Sequence, residues 1–329
     1  MRTSDSWRGA LSSFITAAML AGCGAQSPLG APGPPGTTGA TGATRHTSWM
    51  LPEAQNEDLL YVTTSGHGSF GDGGYVSVFA YPKGTLVGTL TAFSSPNGAC
   101  VDKAGNIFLP DTNDREIFEY AHGGSESIGT LADGQQPYGC SIDPIAGSLA
   151  VANADGSVSI YRNSKGIPKT YHDPILIDAY YCAYDSDGNL FVDGFNYYNS
   201  SHNFQLVELP HGKSSFRNIT LDETLVTPTG VQWDGKYVVV GDGYPEHHAV
   251  YRVEVSGTEG VVKQEISLTN ADPEGFWIDG RRLINPDYFT DQVQYFKYPA
   301  AGSATKVITS VEYASAAAVS PAKPSPAQR

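Results

Sequence analysis

The heptapeptide Pro137-Tyr138-Gly139-Cys140-Ser141-Ile142-Asp143 belongs to a pattern that recurs along the chain. Most copies have Pro first, Gly third, an apolar residue sixth and Asp seventh. Related heptapeptides begin at Pro96, Ala179, Pro228 and Pro273, and a weaker copy begins at Ala314. Successive starts are 41 to 49 residues apart. A repeat of about 40 to 50 residues with strand-like content is typical of a β-propeller.

Each heptapeptide is followed by the same series of elements. A turn such as Ser186-Asp187-Gly188-Asn189 leads to a second apolar strand, and an Asx-rich loop leads to a third. A turn such as Tyr81-Pro82-Lys83-Gly84 then precedes a fourth strand. Gly, Pro, Asn and Asp favour such turns for known steric reasons. We therefore predict an all-β fold, a six-bladed β-propeller of four-stranded antiparallel blades, over residues 49–320.

The two ends of the repeat region complement each other. Three strands, at 59–64, 75–81 and 86–93, precede the first full heptapeptide without a convincing first strand of their own. The last copy, at 314–320, supplies a first strand only. We expect this C-terminal strand to complete the first blade and close the ring, since closure leaves no unpaired edge between the chain ends.

The N-terminal segment has the features of an export signal. Two arginines precede a short apolar stretch, which ends in Leu20-Ala21-Gly22-Cys23. This stretch is too short to span a bilayer. Its end resembles the lipobox of bacterial lipoproteins, which implies removal of residues 1–22 and lipidation of Cys23. The alternative is an ordinary secretory peptide with an incidental cysteine. The lipobox predicts a protein of the cell envelope, periplasmic or surface-exposed, that is held to the membrane by its lipid anchor only.

Residues 23–48 are rich in Gly, Pro and Thr, and glycine occupies every third position from Gly30 to Gly42. Five such triplets are few for a collagen-like triple helix, so we predict a flexible linker, with trimerisation as the alternative. Residues 321–329 are predicted to be a disordered tail.

The charge of the chain limits its partners. The 329 residues include 20 Lys and Arg against 34 Asp and Glu, a net charge of −14. Binding to a nucleic-acid backbone is driven by release of its counterions to basic side chains, so nucleic acid is excluded as the expected partner. We expect a monomer that binds a glycan, a small molecule or a protein.

The repeat resembles a known group of propellers. The pattern P-x-G-x-x-(V/I)-D, followed by G-N-(I/L)-(Y/F)-V, is similar to that of the NHL-repeat and gluconolactonase/senescence-marker-protein proteins. In gluconolactonase-like enzymes, the residue between Pro and Gly helps to hold a divalent metal such as calcium, which polarises a lactone carbonyl or activates water. Asn97 and Glu274 match this ligand set by type. Tyr138, Tyr180, Thr229 and Ser315 depart from it.

The same repeat position is expected to face the mouth of the central channel, where tyrosines favour contact with a ligand. We predict an aromatic and acidic surface suited to a sugar ring or a cation. Its candidate ligand-binding residues are Tyr138, Tyr180, Thr229, Tyr197, Tyr198, Tyr244 and Tyr288. The alternative is that tyrosines such as Tyr138 and Tyr180 fill the channel. Asp and Asn residues after the second strands, such as Asp193, are expected to cap turns.

Three functions are consistent with these features. The first is ligand or protein binding at the channel mouth without catalysis, and no cofactor is required for it. The second is a divalent-metal-dependent lactonase or esterase of the gluconolactonase type, which would use Asn97 and Glu274. The third is an assembly scaffold that uses blade edges.

Apart from Cys23, the chain has Cys100, Cys140 and Cys182, so at least one of these is free in a monomer. Whether Cys140 and Cys182 pair across neighbouring blades, or all three cysteines are buried as small apolar residues, stays open.

Overall fold

The computed structural model describes residues 47–66, 73–196, 204–243 and 248–322. These residues form β-strands and two short 3-10 turns, Pro52–Asn56 and Arg162–Ser164. Within the described ranges, no helix is long and apolar enough to cross a membrane. The signal peptide, Cys23, most of the linker and the end of the tail lie outside the described residues.

The first sheet begins with four strands. They are β1 (Trp49–Met50), β2 (Leu59–Thr64), β3 (Tyr75–Ala80) and β4 (Thr85–Leu90). Strands β2, β3 and β4 form an antiparallel meander, as predicted. Strand β1 was not predicted. It pairs with β4 on the outer edge, where Trp49 lies opposite Thr89.

The second and third sheets are four-stranded antiparallel meanders. The second consists of β5 (Cys100–Val101), β6 (Ile107–Asp111), β7 (Glu116–Tyr120) and β8 (Ser127–Ala132). The third consists of β9 (Pro137–Ile142), β10 (Leu149–Asn153), β11 (Ser157–Tyr161) and β12 (Lys169–His172).

The next eight strands form one sheet with two antiparallel halves. The first half contains β13 (Asp178–Tyr184), β14 (Leu190–Phe195), β15 (Phe204–Leu209) and β16 (Arg217–Leu221). The second contains β17 (Pro228–Trp233), β18 (Val238–Asp242), β19 (Ala249–Ser256) and β20 (Glu259–Ser267).

A short parallel pairing joins the two halves through β16 and β20, with Leu221 opposite Gly260. A Cβ atom on Gly260 would lie 2.7 Å from Leu221 Cδ2 and 2.9 Å from Ile219 Cγ2. The absence of a side chain at this position therefore permits the outer strands to approach each other.

The last sheet contains β21 (Trp277–Asp279), β22 (Arg282–Asp287), β23 (Gln292–Lys297) and β24 (Lys306–Thr309). The chain then returns to the first sheet as β25 (Ala314–Ser320). Strand β25 pairs antiparallel with β2, from Leu59 opposite Ser320 to Thr64 opposite Ala314. This pairing is the expected joining of the two chain ends.

The sheets form a propeller-like ring. The first strand of each antiparallel meander packs against the first strand of the next, in the order β25, β5, β9, β13, β17, β21. Strand β21 in turn packs against β25, so the series is cyclic. The apolar clusters lie between the faces of neighbouring sheets, as in the packing of Phe93 and Leu90 with Ile107 and Leu109.

The Asp residues that end the heptapeptides explain the tight turns after the inner strands. Asp102 Oδ1 accepts hydrogen bonds from the backbone N–H groups of Ala104 and Asn106, both at 2.8 Å. Asp185 does the same for Asp187 and Asn189, at 2.9 and 2.8 Å. These bonds satisfy backbone donors that the turn would otherwise leave unpaired.

Tyrosines at the ends of third strands connect neighbouring sheets. Tyr298 donates a hydrogen bond to Asp234 Oδ2 at 2.6 Å, and Tyr81 donates one to Asp279 Oδ2, also at 2.6 Å. The Arg252 guanidinium also contacts Asp234 Oδ2, at 2.7 Å. Burial opposes the charge of Asp234, but hydrogen bonds from Tyr298, the backbone and Arg252 lower its pKa overall.

The sequence left open whether Cys140 pairs with Cys182, and the structure shows a different disulfide. Cys100 on β5 and Cys140 on β9 form a disulfide, with their Cα atoms 5.6 Å apart. Cys182 on β13 is a buried free thiol. The pair Cys140 and Cys182 is therefore incorrect, because Cys140 is already bonded to the preceding sheet.

Candidate functional site at the mouth of the ring

One end of the ring carries the positions that the repeat predicts to be functional. We call it the mouth end. It contains the starts of the inner strands, the loops between second and third strands, and the connections between successive sheets. The antiparallel meander places all three at the same end, since each strand reverses the direction of the one before it. The opposite end, which carries the remaining turns, is called the base.

The residues before the repeat glycine have different environments. Tyr138, Tyr180 and Glu274 are partly exposed, whereas Asn97, Thr229 and Ser315 are buried. A Cβ atom at Gly241 would lie 2.4 Å from Thr229 Oγ1, so the Thr229 side chain packs against its neighbouring strand. Of the candidates at this repeat position, Tyr138 and Tyr180 form a contact at the mouth, with ring centroids 5.1 Å apart.

Tyr181, rather than Tyr138 or Tyr180, occupies the axis of the ring. The pairing of β13 with β14 shifts register between Ala179 and Cys182, as it does at the equivalent positions of β9 and β17, and Tyr181 lies within this shift. Tyr181 is buried, and its hydroxyl group lies 3.1 Å from Glu274 Oε1 and 3.2 Å from the Ser315 carbonyl oxygen. The cavity at the axis is only about 10 Å³ and is lined in part by Tyr181. The expected channel is therefore closed by an aromatic side chain, but by Tyr181, which was not predicted from the sequence, and not by Tyr138 or Tyr180.

Gly139 on the neighbouring inner strand makes room for Tyr181. A Cβ atom on Gly139 would lie 2.7 Å from the Tyr181 Cα atom and 2.8 Å from its Cδ1 atom. Gly230 and Gly275, at the same repeat position, also line the axial cavity. Tyr181 stands where the other strong copies have Gly, and this departure is the sequence signal that could have identified the residue at the axis.

Asp193 has a structural role that differs from the expected turn cap. Its Oδ1 accepts a hydrogen bond from the Tyr181 backbone N–H at 2.7 Å, and its Oδ2 accepts one from the Gly230 N–H at 3.1 Å. Asp193 thus bridges β13 and β17. Burial raises its pKa to about 7, although the two backbone donors act in the opposite direction.

Glu274 lies at the mouth end, where its carboxyl group contacts the hydroxyl group of Tyr181. Its backbone N–H donates to Asn285 Oδ1 at 3.2 Å, which holds the segment before β21 in place. Burial raises the pKa of Glu274 to about 7, the hydrogen bond from Tyr181 lowers it, and the carboxylates of Asp193, Asp272 and Asp287 raise it further. The Glu274 carboxyl group is therefore the acidic centre of the mouth.

Two aromatic groups lie at the mouth end, in addition to Glu274. The first contains Tyr138, Tyr180 and Phe195, and the rings of Tyr180 and Phe195 meet edge to face at 5.4 Å. The second contains Tyr288, Phe289 and Tyr313, in which Tyr288 lies 5.3 Å from Tyr313 and 5.4 Å from Phe289. We call them the first and second aromatic groups.

The raised pKa values of Tyr138 and Tyr288 share one contributing cause, the charge of Glu274. Burial raises the pKa of Tyr138 to about 12, with contributions from the charges of Tyr180, Glu274, Asp178 and Tyr288. Burial also raises the pKa of Tyr288, as do the charges of Tyr313 and Glu274. Glu274 therefore acts electrostatically on both aromatic groups.

The candidate metal ligands do not form a calcium-type site. The Asn97 side-chain amide donates to Thr112 Oγ1 at 2.8 Å and to Ser95 Oγ at 3.1 Å, and Glu274 accepts from Tyr181. No group of three or more His, Cys, Asp and Glu side chains suited to a metal occurs in the described part of the chain. Calcium takes six to eight oxygen ligands. The residues present do not fit that ion, so we derive no catalytic step through a metal.

Three of the predicted ligand-binding residues, Tyr197, Tyr198 and Tyr244, lie outside the described residues. Tyr288 is described and belongs to the second aromatic group. Phe195, Phe289 and Tyr313 were not predicted as site residues. Phe195 is the last residue of the second strand β14, Phe289 follows the second strand β22, and Tyr313 immediately precedes β25. Their chain positions alone would therefore have placed them at the mouth.

Comparison with known proteins identifies the fold. No family model matches the chain, and no curated protein matches it. Among solved structures, a chain of a nidogen/laminin complex has a TM-score of 0.65 and 12% identity, covering 81% of this chain and 100% of that one. A protein of unknown function from Bacteroides caccae has a TM-score of 0.59 and 12% identity, covering 80% and 98%.

A chain of hydrazine synthase from Kuenenia stuttgartiensis has a TM-score of 0.53 and 14% identity, covering 68% of this chain and 70% of that one. At such identities the similarity concerns architecture only. Together with the ring of antiparallel sheets, it supports a β-propeller fold.

Proposed function

We propose that this protein is a lipid-anchored, extracytoplasmic β-propeller that binds a ligand or a protein at its mouth end and performs no catalysis there. The observation that carries the proposal is the convergence of Tyr138, Tyr180, Tyr288 and Glu274 at one end of the ring, above an axis closed by Tyr181. Aromatic surfaces with a few polar groups are typical of binding sites.

The proposed propeller has six blades. The cyclic order of six inner strands supports this number, with the two halves of the eight-stranded sheet counted as one blade each. Under this interpretation, the contact between β16 and β20 is an edge contact between blades. The NHL-like repeat pattern supports the same number, since each strong copy begins an antiparallel meander.

The proposed location follows from Leu20-Ala21-Gly22-Cys23, with the Cys100–Cys140 disulfide as independent support. Disulfides persist in oxidising compartments such as the bacterial periplasm. Fractionation of cells that express the full chain tests the anchor. The protein is expected with the membranes, and Cys23→Ala is expected to release it from them. Recovery of both forms in the same soluble fraction would contradict lipidation of Cys23.

A thermal-shift screen of the full-length protein in non-ionic detergent tests the binding function. The panel contains neutral sugars, small organic cations and, after treatment with chelator, calcium, manganese and zinc. A ligand at 100 times its dissociation constant stabilises the folded state by about 2.7 kcal/mol. We expect a shift with an organic ligand that is reduced in Tyr288→Leu.

The lactonase alternative makes the opposite prediction for the metals in that screen. A metal-dependent shift that disappears in both Asn97→Ala and Glu274→Ala would contradict the binding proposal and favour metal-dependent hydrolysis. The absence of a shift with every organic member of the panel would also count against binding at the mouth.

A further inference from the structure

The mouth end combines acidic residues with few basic ones. In the described parts of its loops and inter-sheet connections, Arg115 is the only Lys or Arg. The same segments contain ten acidic residues, namely Asp114, Asp133, Asp155, Asp173, Asp222, Glu223, Asp272, Glu274, Asp291 and Glu312. The base is closer to neutral. Its connections contain seven basic residues, namely Lys83, Lys103, Arg162, Lys165, Lys213, Lys236 and Arg281, against nine acidic ones, namely Glu53, Glu57, Asp58, Asp102, Glu126, Asp143, Asp185, Asp187 and Asp234. The charge of the ring is therefore polarised along its axis.

The acidic centre of the mouth has no basic neighbour. Within the described chain, Lys and Arg form their ion pairs elsewhere, for example Arg252 with Asp234 and Arg217 with Glu208. Asp272 contacts His248, but Glu274 has no ion pair among these residues. Its partner is the neutral hydroxyl group of Tyr181. A carboxylate held in this way attracts a cation from outside the protein.

The aromatic rings at the mouth end are inclined to one another. Tyr138 and Tyr180 are inclined at 58°, and Tyr288 and Tyr313 at 50°. Inclined ring faces suit the several methyl or methylene groups around a cationic nitrogen, since each face attracts positive charge. A neutral sugar would gain no comparable benefit from the carboxylate or from the acidic surroundings.

The depth of the mouth limits the size of the group that enters it. Tyr181 closes the axis beneath Glu274, and the cavity there, about 10 Å³, is too small for anything beyond a water molecule. A ligand is therefore held above Tyr181 and does not pass through the ring.

We propose that the mouth binds the ammonium group of a small organic cation, with Tyr138, Tyr180 and Tyr288 contacting its alkyl groups and Glu274 opposing its charge. This inference rests on the proposed binding function and specifies the ligand class. An alkylammonium group also occurs at the end of a lysine side chain, so the test must separate a free small molecule from a protein ligand.

Isothermal titration calorimetry of the full-length protein in non-ionic detergent provides the test. The probes are choline and 3,3-dimethylbutan-1-ol, which has the same shape without the charge. N-acetyl-lysine methylamide represents a protein side chain, and glucose represents a neutral sugar. We expect choline to bind, the neutral alcohol to bind at least about tenfold more weakly, and the lysine derivative to bind more weakly than choline.

Three variants separate the contacts. Glu274→Gln retains an acceptor for Tyr181 and removes the charge, so it should weaken choline binding about tenfold. Tyr288→Leu should weaken it about fivefold through loss of a ring face. Glu126→Gln, an exposed acidic residue in a base turn, serves as the matched control and should have no effect. Thermal melts of each variant identify any that fail to fold.

Equal binding of choline and its neutral analogue, or unchanged choline binding by a folded Glu274→Gln protein, would overturn the inference. Glucose binding without choline binding would reject the cation while leaving the binding function intact. Failure of every probe would reject the cation and leave the broader screen to decide the binding function. Preferential binding of the lysine derivative would reject a free small molecule in favour of a protein ligand.

Discussion

The hydroxyl group of Tyr181 on β13 donates a hydrogen bond of 3.1 Å to Oε1 of Glu274, which lies at the mouth end just before β21. The two residues are 93 positions apart in the chain, and Glu274 lies in the connection between β20 and β21. One side chain thus closes the axis and at the same time holds the acidic centre of the mouth. The closed axis and the proposed binding site therefore share this contact.

Replacing Tyr181 is expected to destabilise the ring, by a smaller amount when only its hydroxyl group is removed than when the whole side chain is truncated. Tyr181→Phe removes the hydroxyl group and should lower the free energy of unfolding by about 1–2 kcal/mol. Tyr181→Ala also leaves a cavity and should cost about 3–5 kcal/mol. Denaturant unfolding measures both values. Tyr237→Phe at the base is the control and should stay within about 0.5 kcal/mol of the wild type. Equal stability of the Phe and Ala variants would show that the ring of Tyr181 does not fill the axis.

The disulfide should stabilise the protein, and Cys182 should be protected. Cys100 and Cys140 are 40 positions apart, and a closed loop of this size is worth about 4 kcal/mol in the chain-entropy account. Reductant should therefore lower the midpoint of denaturant unfolding. Peptide mass spectrometry without reductant should recover Cys100 linked to Cys140.

Cys182 should react with a thiol reagent only after unfolding, and its rapid modification in the native protein would contradict the buried position.

The stability of the protein should depend on pH through Asp193. Burial raises the pKa of Asp193 from 3.8 to about 7 in the folded state, so the folded state binds this proton more tightly than the unfolded state. The resulting stabilisation is complete below about pH 4 and is lost as the pH rises towards 7. Glu274, whose pKa is also raised to about 7, contributes in the same direction.

Thermal melts between about pH 5 and pH 8 measure this effect. The melting temperature should fall with rising pH, and Asp193→Asn should reduce the slope because its side chain does not titrate. Asp187→Asn, at an exposed turn of the base, is the control and should keep the wild-type slope. A slope that is the same in all three proteins would exclude Asp193 as its source.

Removal of β25 should destabilise the whole ring. A chain that ends after Thr309 leaves the edge of β2 unpaired and exposes residues such as Tyr61 and Val62 to solvent. We expect it to melt at a much lower temperature than the full chain, or to be recovered as aggregate. A chain that ends after Ala322 retains β25 and is the control. If the two truncated chains melt together, the pairing of β2 with β25 does not support the ring.

The architecture was predictable because its determinants are local and repeated. The heptapeptide Asp residues cap turns through bonds to residues two to four positions ahead, as Asp102 does with Ala104 and Asn106. Strand β25 could be placed by complementing the incomplete first sheet. The contact between β16 and β20 was not predictable, because it depends on the close approach of two outer strands at Gly260.

The site was predicted less completely. The repeat and loop positions predict Tyr138, Tyr180, Tyr288 and Glu274 at the mouth, and their binding of a ligand or a metal stays a prediction. The position of Tyr181 at the axis was not predicted, because the equivalent residue in the other strong copies is Gly and site residues were sought only at the position before it. The pairing of Cys100 with Cys140 likewise joins the fifth residue of one copy to the fourth of the next. Equivalent positions in the repeat are therefore an insufficient guide to contacts between sheets.

The pairing of Leu59 with Ser320 has a consequence for the order of events during biosynthesis. A ribosome releases β2 long before β25 exists, so the edge of β2 has no native partner until nearly the whole chain has been made. A polypeptide exported with its N-terminus leading meets the same delay on the far side of the membrane. During that interval, an apolar strand edge is available to other chains. The exposure ends only when β25 emerges and pairs with β2.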